Sequence, residues 1–251
     1  MQRLDSKKII VHSLSAEAGG VKIPVSVFAN HPYVRTATAP LVLIVYGGGK
    51  QFTQDELGLM KTAFVDRNML AAGFNFRGHI SGNPQAFSDT GLHTRIEDAR
   101  AVLDLLSRTY PHAPITVVAV SMGGYVASFL DTGKIKNLVL VGPAAYHPEA
   151  VERKVNFGPD FTAIITKEKS WEGSDAFKNI AGFSKSSLLV IRFDRDNVIP
   201  PRIPELYLGS HPGTPPKQLI NMNFPHNGNF TDPRKVRALV YATTYWIKSH
   251  L

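Results

Sequence analysis

Cysteine is missing altogether from this 251-residue sequence. That absence removes disulfides, thiolate metal sites and cysteine nucleophiles, while leaving the redox compartment open. Any covalent chemistry must use another side chain. Long hydrophobic runs are missing too: a string such as LVLIV at 41–45 falls far short of the roughly 20 apolar residues that cross a bilayer. The N-terminal MQRLDSKKII loses its apolar character at His12 and Ser13, before the hydrophobic region of a secretory signal could form. The expectation is a soluble, cytoplasmic protein with no membrane partner. Acidic residues are in deficit, 20 Asp and Glu against 28 Lys and Arg, a formal charge of +8. The cations are nevertheless scattered (Lys7, Lys8, Lys50, Arg100, Lys167, Lys169, Arg234, Lys235) rather than gathered into a stripe interleaved with aromatics. This reads as a solvated basic surface and predicts no nucleic-acid partner. No internal repeat or low-complexity tract divides the chain.

What is present is 43% hydrophobic content over a length that suits one sizeable core. Short apolar or β-branched runs alternate with longer segments of helical period, the pattern of a mainly parallel sheet covered on both faces. Strands are expected near 8–13, 21–29, 41–46, 70–76, 115–120, 137–142, 187–193 and 217–222, eight in all, the first two as an antiparallel edge. Helices are expected over about 54–68, about 93–108 with Ile96, Ala99, Val102, Leu103 and Leu106 on one face, and about 233–249. The last is announced by Asp232 as a cap and Pro233 at the first helical position. Between the strands ending near 142 and starting near 187 lie about 44 residues, more than a crossover needs. Tyr146, Phe157, Phe161, Ile164, Ile165, Trp171 and Phe177 mark this stretch as a small cap, 145–185, on a single domain 1–251. Its aromatics are expected to shape a substrate pocket as well as the cap's own core.

The stretch ITVVAVSMGGYVASFL at 115–130 places Ser121 where a buried strand turns into a helix. A sharp turn of this kind forces the serine into a strained backbone and holds its hydroxyl above the sheet, provided that the residues two before and two after are small. Ala119 and Gly123 meet that demand, with Gly124 for close helix packing. A serine at a strand end can equally be a helix cap, so the surroundings decide.

A serine hydroxyl needs an imidazole to take its proton and a carboxylate to fix that imidazole. In a sheet of this kind the chain order is Ser, then Asp or Glu, then His. Of nine histidines only His226 directly follows the last strand, in INMNFPHNGNF at 220–230. SSLLVIRFDRDNVIPP at 186–201 runs a strand into a loop with two aspartates, of which Asp196 is the first choice and Asp194 the second. Developing negative charge on a carbonyl oxygen needs backbone N–H donors, and glycine lets the backbone approach. LVLIVYGGGKQ at 41–51 supplies such a loop, with Gly48 expected to donate opposite Met122, the residue after the serine. Lys50 is followed by Gln51, so neither phosphate-loop pattern is satisfied.

In this order the pieces resemble the α/β-hydrolase superfamily of serine hydrolases over roughly 40–251. The likeness is carried by YGGG at 46–49, FNFRGHISG at 74–82, IEDARAVLDLL at 96–106, AVSMGG at 119–124, DNVIPP at 196–201 and His226. LVGPAA at 140–145 is similar to the strand before the cap in small feruloyl and cinnamoyl esterases. The chain departs from the pattern in three places. Tyr46 stands where histidine usually precedes the glycines, Ile80 interrupts R-G-x-G-x-S, and Arg192-Phe193 replaces His-Gly before the acid loop. The resemblance implies Ser121 as nucleophile, His226 as general base and acid, Asp196 as its orienter, and Met122 with Gly48 as oxyanion donors. It implies cleavage of a small carboxylic ester through an acyl-enzyme, with no cofactor and no metal, by a chain for which a homodimer is allowed. Arg77 is expected to satisfy loop carbonyls. A thioesterase or amidase would use the same apparatus. A binding protein that keeps the fold without catalysis, or an anion-binding partner protein relying on the +8 charge, stands as the alternative. The sequon Asn229-Phe230-Thr231 is expected to be silent.

Overall fold

The computed structural model describes residues 9–30, 38–50, 53–227 and 230–251. Eight strands form one sheet: β1 (Ile10–Ala18), β2 (Val21–Ala29), β3 (Leu41–Val45), β4 (Leu70–Phe74), β5 (Ile115–Val120), β6 (Asn137–Val141), β7 (Ser187–Arg195) and β8 (Lys217–Pro225). Their spatial order is β1-β2-β4-β3-β5-β6-β7-β8, with β1 and β2 antiparallel to their neighbours and the pairs from β4 to β8 parallel. Every residue of β3, β4, β5 and β6 is buried. A strand buried on both faces reads as a continuous apolar run, which is why these four are so plain in the sequence.

The helices are α1 (Gly58–Val65), α2 (Leu92–Thr109), α3 (Met122–Ala127), α4 (Glu149–Glu152), α5 (Pro159–Ile165), α6 (Asp175–Ile180), α7 (Arg202–Ser210) and α8 (Pro233–Ser249). The helix expected over 54–68 is a 3-10 turn at Gln54–Leu57 followed by α1. Asp232 caps α8, accepting the Arg234 N–H at 2.9 Å, and the apolar stripe Val236, Leu239, Val240, Trp246 and Ile247 is buried. Between β6 and β7, the small helices α4, α5 and α6 make up the cap, which meets the body where Phe157 N–H donates to Thr90 O at 2.7 Å. Asn229 of the sequon lies outside the described residues.

The first strand runs to Ala18 rather than stopping at 13, because Gly19 and Gly20 form a two-residue hairpin turn with φ of 56° and 75°. Both central residues of that turn type need positive φ, which glycine accepts freely. A Cβ on Gly19 would strike the guanidinium of Arg77, which lies tucked beneath the turn. Arg77 does not serve carbonyls as expected. It binds a carboxylate, with Nε donating to Asp98 Oδ1 at 2.7 Å, its backbone N–H to Oδ2 at 2.9 Å, and Nη2 to Glu97 Oε2 at 3.0 Å. Arg77 and Asp98 are 4% and 0% exposed, so this pair ties the loop after β4 to α2 inside the protein.

Removing one partner of a buried pair leaves an uncompensated charge, at a cost of about 3–5 kcal/mol. Arg77→Met should therefore lower unfolding stability by about that much in urea titration, whereas Arg153→Met, at an exposed surface pair, should change it by less than about 1 kcal/mol.

Candidate active site

Ser121 sits between β5 and α3 with φ 53° and ψ −119°, a conformation that L-residues rarely adopt. The turn is held from several sides. Its N–H donates to Val141 O at 2.9 Å, and its carbonyl accepts from Gly124 N–H at 2.9 Å and Ala144 N–H at 3.0 Å. Strand and helix approach because position 123 has no side chain: a Cβ there would fall on the Val45 carbonyl oxygen and 2.8 Å from that of Tyr46. A Cβ on Gly124 would stand 2.7 Å from Pro143 Cβ. The small residues after the serine are thus steric requirements of the turn.

The strained backbone presents Ser121 Oγ to His226, whose Nε2 lies 3.0 Å away. His226 Nδ1 lies 2.7 Å from Asp196 Oδ2. A carboxylate only accepts, so Nδ1 carries the proton and Nε2 accepts from the serine hydroxyl. Asp196 Oδ1 is itself held by the N–H groups of Val198 at 2.9 Å and Ile199 at 2.8 Å. The turn that follows β7 therefore fixes which carboxylate faces His226. Asp194, still on the strand, is exposed. His226 and Asp196 are 10% and 6% exposed, so their bond is largely shielded from water. Gly142, at φ 51°, makes room for the base: a Cβ there would lie 3.0 Å from the Phe193 ring and 3.6 Å from His226 Cε1.

The glycine loop after β3 lies directly over the serine. A Cβ on Gly47 would come within 3.1 Å of Ser121 Cβ, and one on Gly48 within 2.7 Å of Met122 Cε. Met122 opens α3, so its N–H has no partner within the helix. Tyr46 anchors the start of this loop. Its hydroxyl accepts the Phe76 N–H at 3.0 Å and lies 3.2 Å from His79 Nδ1, while His79 Nε2 lies 3.0 Å from Gly49 O. Burial pushes the Tyr46 hydroxyl up to about 12, so it stays protonated. Burial and the nearby Arg95 cation hold the His79 imidazole below its ordinary pKa. A neutral His79 has one donor and one acceptor, and the carbonyl claims the donor. The chain of bonds then runs from Phe76 N–H to Tyr46 O–H to His79 to the Gly49 carbonyl. The departure at Tyr46 is a loop anchor in its own right.

Ser121, His226, Gly47 and Gly48 open on a cavity of about 290 Å³, walled also by Glu56, Val120, Val141, Phe193, Phe230 and Thr231. None of the cap aromatics lines it, contrary to expectation. Phe157 stacks on Phe87 with ring centres 4.9 Å apart and meets Phe161 edge-on at 5.0 Å, so they fill the seam between cap and body. Sequence reasoning missed Glu56, Phe230 and the buried Arg95. Only Arg95 left a signal, a charge on the face of α2 shared with Asp98, Ala99 and Val102. Among the described residues, no group of three or more His, Asp or Glu side chains could hold a metal ion.

A mostly parallel eight-stranded sheet with a serine on a strained strand-to-helix turn and a histidine past the last strand defines a serine hydrolase of the α/β-hydrolase superfamily. More narrowly, the chain belongs to the serine aminopeptidase family S33, whose model matches residues 38–172. Among solved structures, it is similar to Est1E from Butyrivibrio proteoclasticus, determined with ferulic acid bound, at a TM-score of 0.72 and 14% identity, over 94% of this chain and 98% of that one. It is also similar to the acetyl xylan esterase from Paenibacillus sp. R4, at 0.69 and 18% over 100% and 87% of the two chains. The acylaminoacyl peptidase of Pyrococcus horikoshii shares the fold at 0.70 and 14%, over 98% of this chain and 42% of that one. Identities this low speak to fold alone. No curated protein matches the sequence. Among the described residues no helix is long and apolar enough to cross a membrane.

The approach of Gly123 to the Val45 and Tyr46 carbonyls involves backbone that cannot rotate aside. Gly123→Ala should cost about 3 kcal/mol or more in thermal or urea unfolding, while Gly173→Ala, which meets nothing within 4 Å, should stay within about 0.5 kcal/mol of the parent.

Proposed function

We propose that the protein hydrolyses carboxylic esters through an acyl-enzyme on Ser121. The observation that carries this reading is the unbroken line of hydrogen bonds from Ser121 Oγ through His226 to Asp196, 3.0 and 2.7 Å in turn. His226 Nε2 takes the hydroxyl proton as Oγ forms a bond to the ester carbonyl carbon and the C=O π pair moves onto oxygen. Met122 N–H and Gly48 N–H receive that oxyanion. The tetrahedral species collapses, the C–O bond to the alcohol breaks, and His226 returns its proton to the leaving oxygen. A water molecule, deprotonated by the same imidazole, then adds to the acyl carbon and frees the acid with restoration of the serine. Asp196 holds the Nδ1–H tautomer and stabilises the imidazolium throughout. These steps use only side chains, backbone and water.

The ester reading is supported by the likeness to Est1E and the acetyl xylan esterase. The family's description as serine aminopeptidase favours a second reading, cleavage of an amide by the same groups. The difference is the leaving group: an amine must be protonated before it departs, which asks more of His226 as an acid. The partners are accordingly small acyl compounds.

A fluorophosphonate probe should label Ser121 in the parent protein and leave His226→Ala unlabelled, as read by peptide mass spectrometry; a parent protein that stays unlabelled supports the binding-protein alternative. Asp196→Asn, which favours the wrong tautomer, should lower kcat for a p-nitrophenyl ester by about 10³–10⁴-fold. Comparing that ester with the matching p-nitroanilide decides between the two leaving groups.

A further inference from the structure

Arg95 carries a full charge into the interior. It is 1% exposed, its Nη1 donates to the Gly47 carbonyl at 2.7 Å, and its Nε and Nη2 have no hydrogen-bond partner among the described residues. The rings of Phe76 and Phe157 face the guanidinium at 4.7 and 4.8 Å. Asp98, one turn along α2, is already engaged by Arg77. Burial lowers Arg95 to about 10, which still leaves it charged at neutral pH. A buried cation without a carboxylate is costly. Ring faces offset part of that cost, but an apolar residue at this position in α2 would incur none of it.

The carbonyl that Arg95 holds belongs to the same peptide plane as the Gly48 N–H. The described chain has no cis peptide, and in a trans peptide C=O and N–H point in opposite directions. Fixing the Gly47 oxygen inward on Arg95 therefore turns the Gly48 N–H outward. Outward is the cavity, which Gly47 and Gly48 line together with Ser121. A second loop carbonyl, that of Gly49, is held independently by His79. A charged donor on a peptide oxygen also polarises the N–H of that peptide and makes it a stronger donor.

We propose that Arg95 is a positioning residue for the oxyanion donor: its guanidinium, seated between the Gly47 carbonyl and the cap ring of Phe157, aims the Gly48 N–H at the place where the substrate oxyanion forms. This rests on the serine-hydrolase reading above and adds to it a residue that touches neither substrate nor reacting atoms.

Arg95→Met keeps the bulk of the side chain and removes both charge and donor. With a p-nitrophenyl ester, kcat should fall by about 10²-fold with KM within about threefold, the size of effect expected when one oxyanion donor is lost. Affinity for a trifluoromethyl ketone, which places an oxyanion in the same spot, should weaken by the same factor. The Gly48 amide resonance should shift and its hydrogen exchange quicken, and Arg95→Lys should recover part of each change. A purely structural role predicts lower stability with kcat, inhibitor affinity and the Gly48 resonance unchanged, and that result overturns the proposal. Should Arg95→Met not fold, Arg95→Lys carries the test: about a tenfold loss in kcat supports the proposal, and parent-like kcat with a parent-like Gly48 resonance overturns it. A parent protein that neither cleaves esters nor takes the fluorophosphonate overturns the hydrolase reading instead, and the Gly48 resonance then decides alone whether Arg95 orients that amide.

Discussion

The turn at Ser121 is the constraint on which the remaining architecture depends. A non-glycine residue at φ 53° and ψ −119° carries strain of about 1–3 kcal/mol, and it survives only where its surroundings allow nothing else. Here they do not: Val141, Gly124 and Ala144 take up its backbone groups, and the missing side chain at 123 lets α3 sit against the end of β3. The serine hydroxyl is left at the carboxyl end of the parallel strands, which is also where the loops after β3, β7 and β8 converge. His226, Asp196, Gly47 and Gly48 are therefore brought to one place by topology before any of their own bonds is considered.

Among the described residues, the two buried arginines are held in different ways. Arg77 and Asp98 neutralise each other and join two elements, so their cost in desolvation is matched by an ion pair with several hydrogen bonds. Arg95 has rings and a single carbonyl instead. Arg77 lies in the loop after β4 and Arg95 on α2, and they differ in what they hold, one a carboxylate and the other the peptide that faces the serine. The buried Tyr46 and the half-buried His79 extend the second pattern, committing their polar groups to the same glycine loop. A loop tied down by these bonds suits the preorganised donors of the proposed mechanism, which need no rearrangement when negative charge appears.

Much of this was legible in the sequence where one period or one steric rule dominated. The strands buried on both faces stand out as unbroken apolar runs, and α8 declares itself through Asp232, Pro233 and its apolar stripe. The order of Ser121, Asp196 and His226 could be read because topology constrains where each must fall. The full length of β1 could not, since LSAEA has little strand preference and extends only because the Gly19-Gly20 turn folds it back on β2. The partners of Arg77 and Arg95 were equally hidden: both are arginines near aromatics and acids in sequence, and only packing decides which finds a carboxylate. The cap aromatics misled for a related reason. Apolar rings close a seam as readily as they line a pocket, and here Phe157 and Phe161 do the former.

The central claim is that an acyl group passes through the hydroxyl held on this turn. Acid-quenched mass spectrometry of the protein mixed with an activated ester tests it most directly. The account predicts a transient gain of one acyl group confined to the peptide containing Ser121, decaying as product appears. Turnover accompanied by an acyl group on any other residue would contradict it.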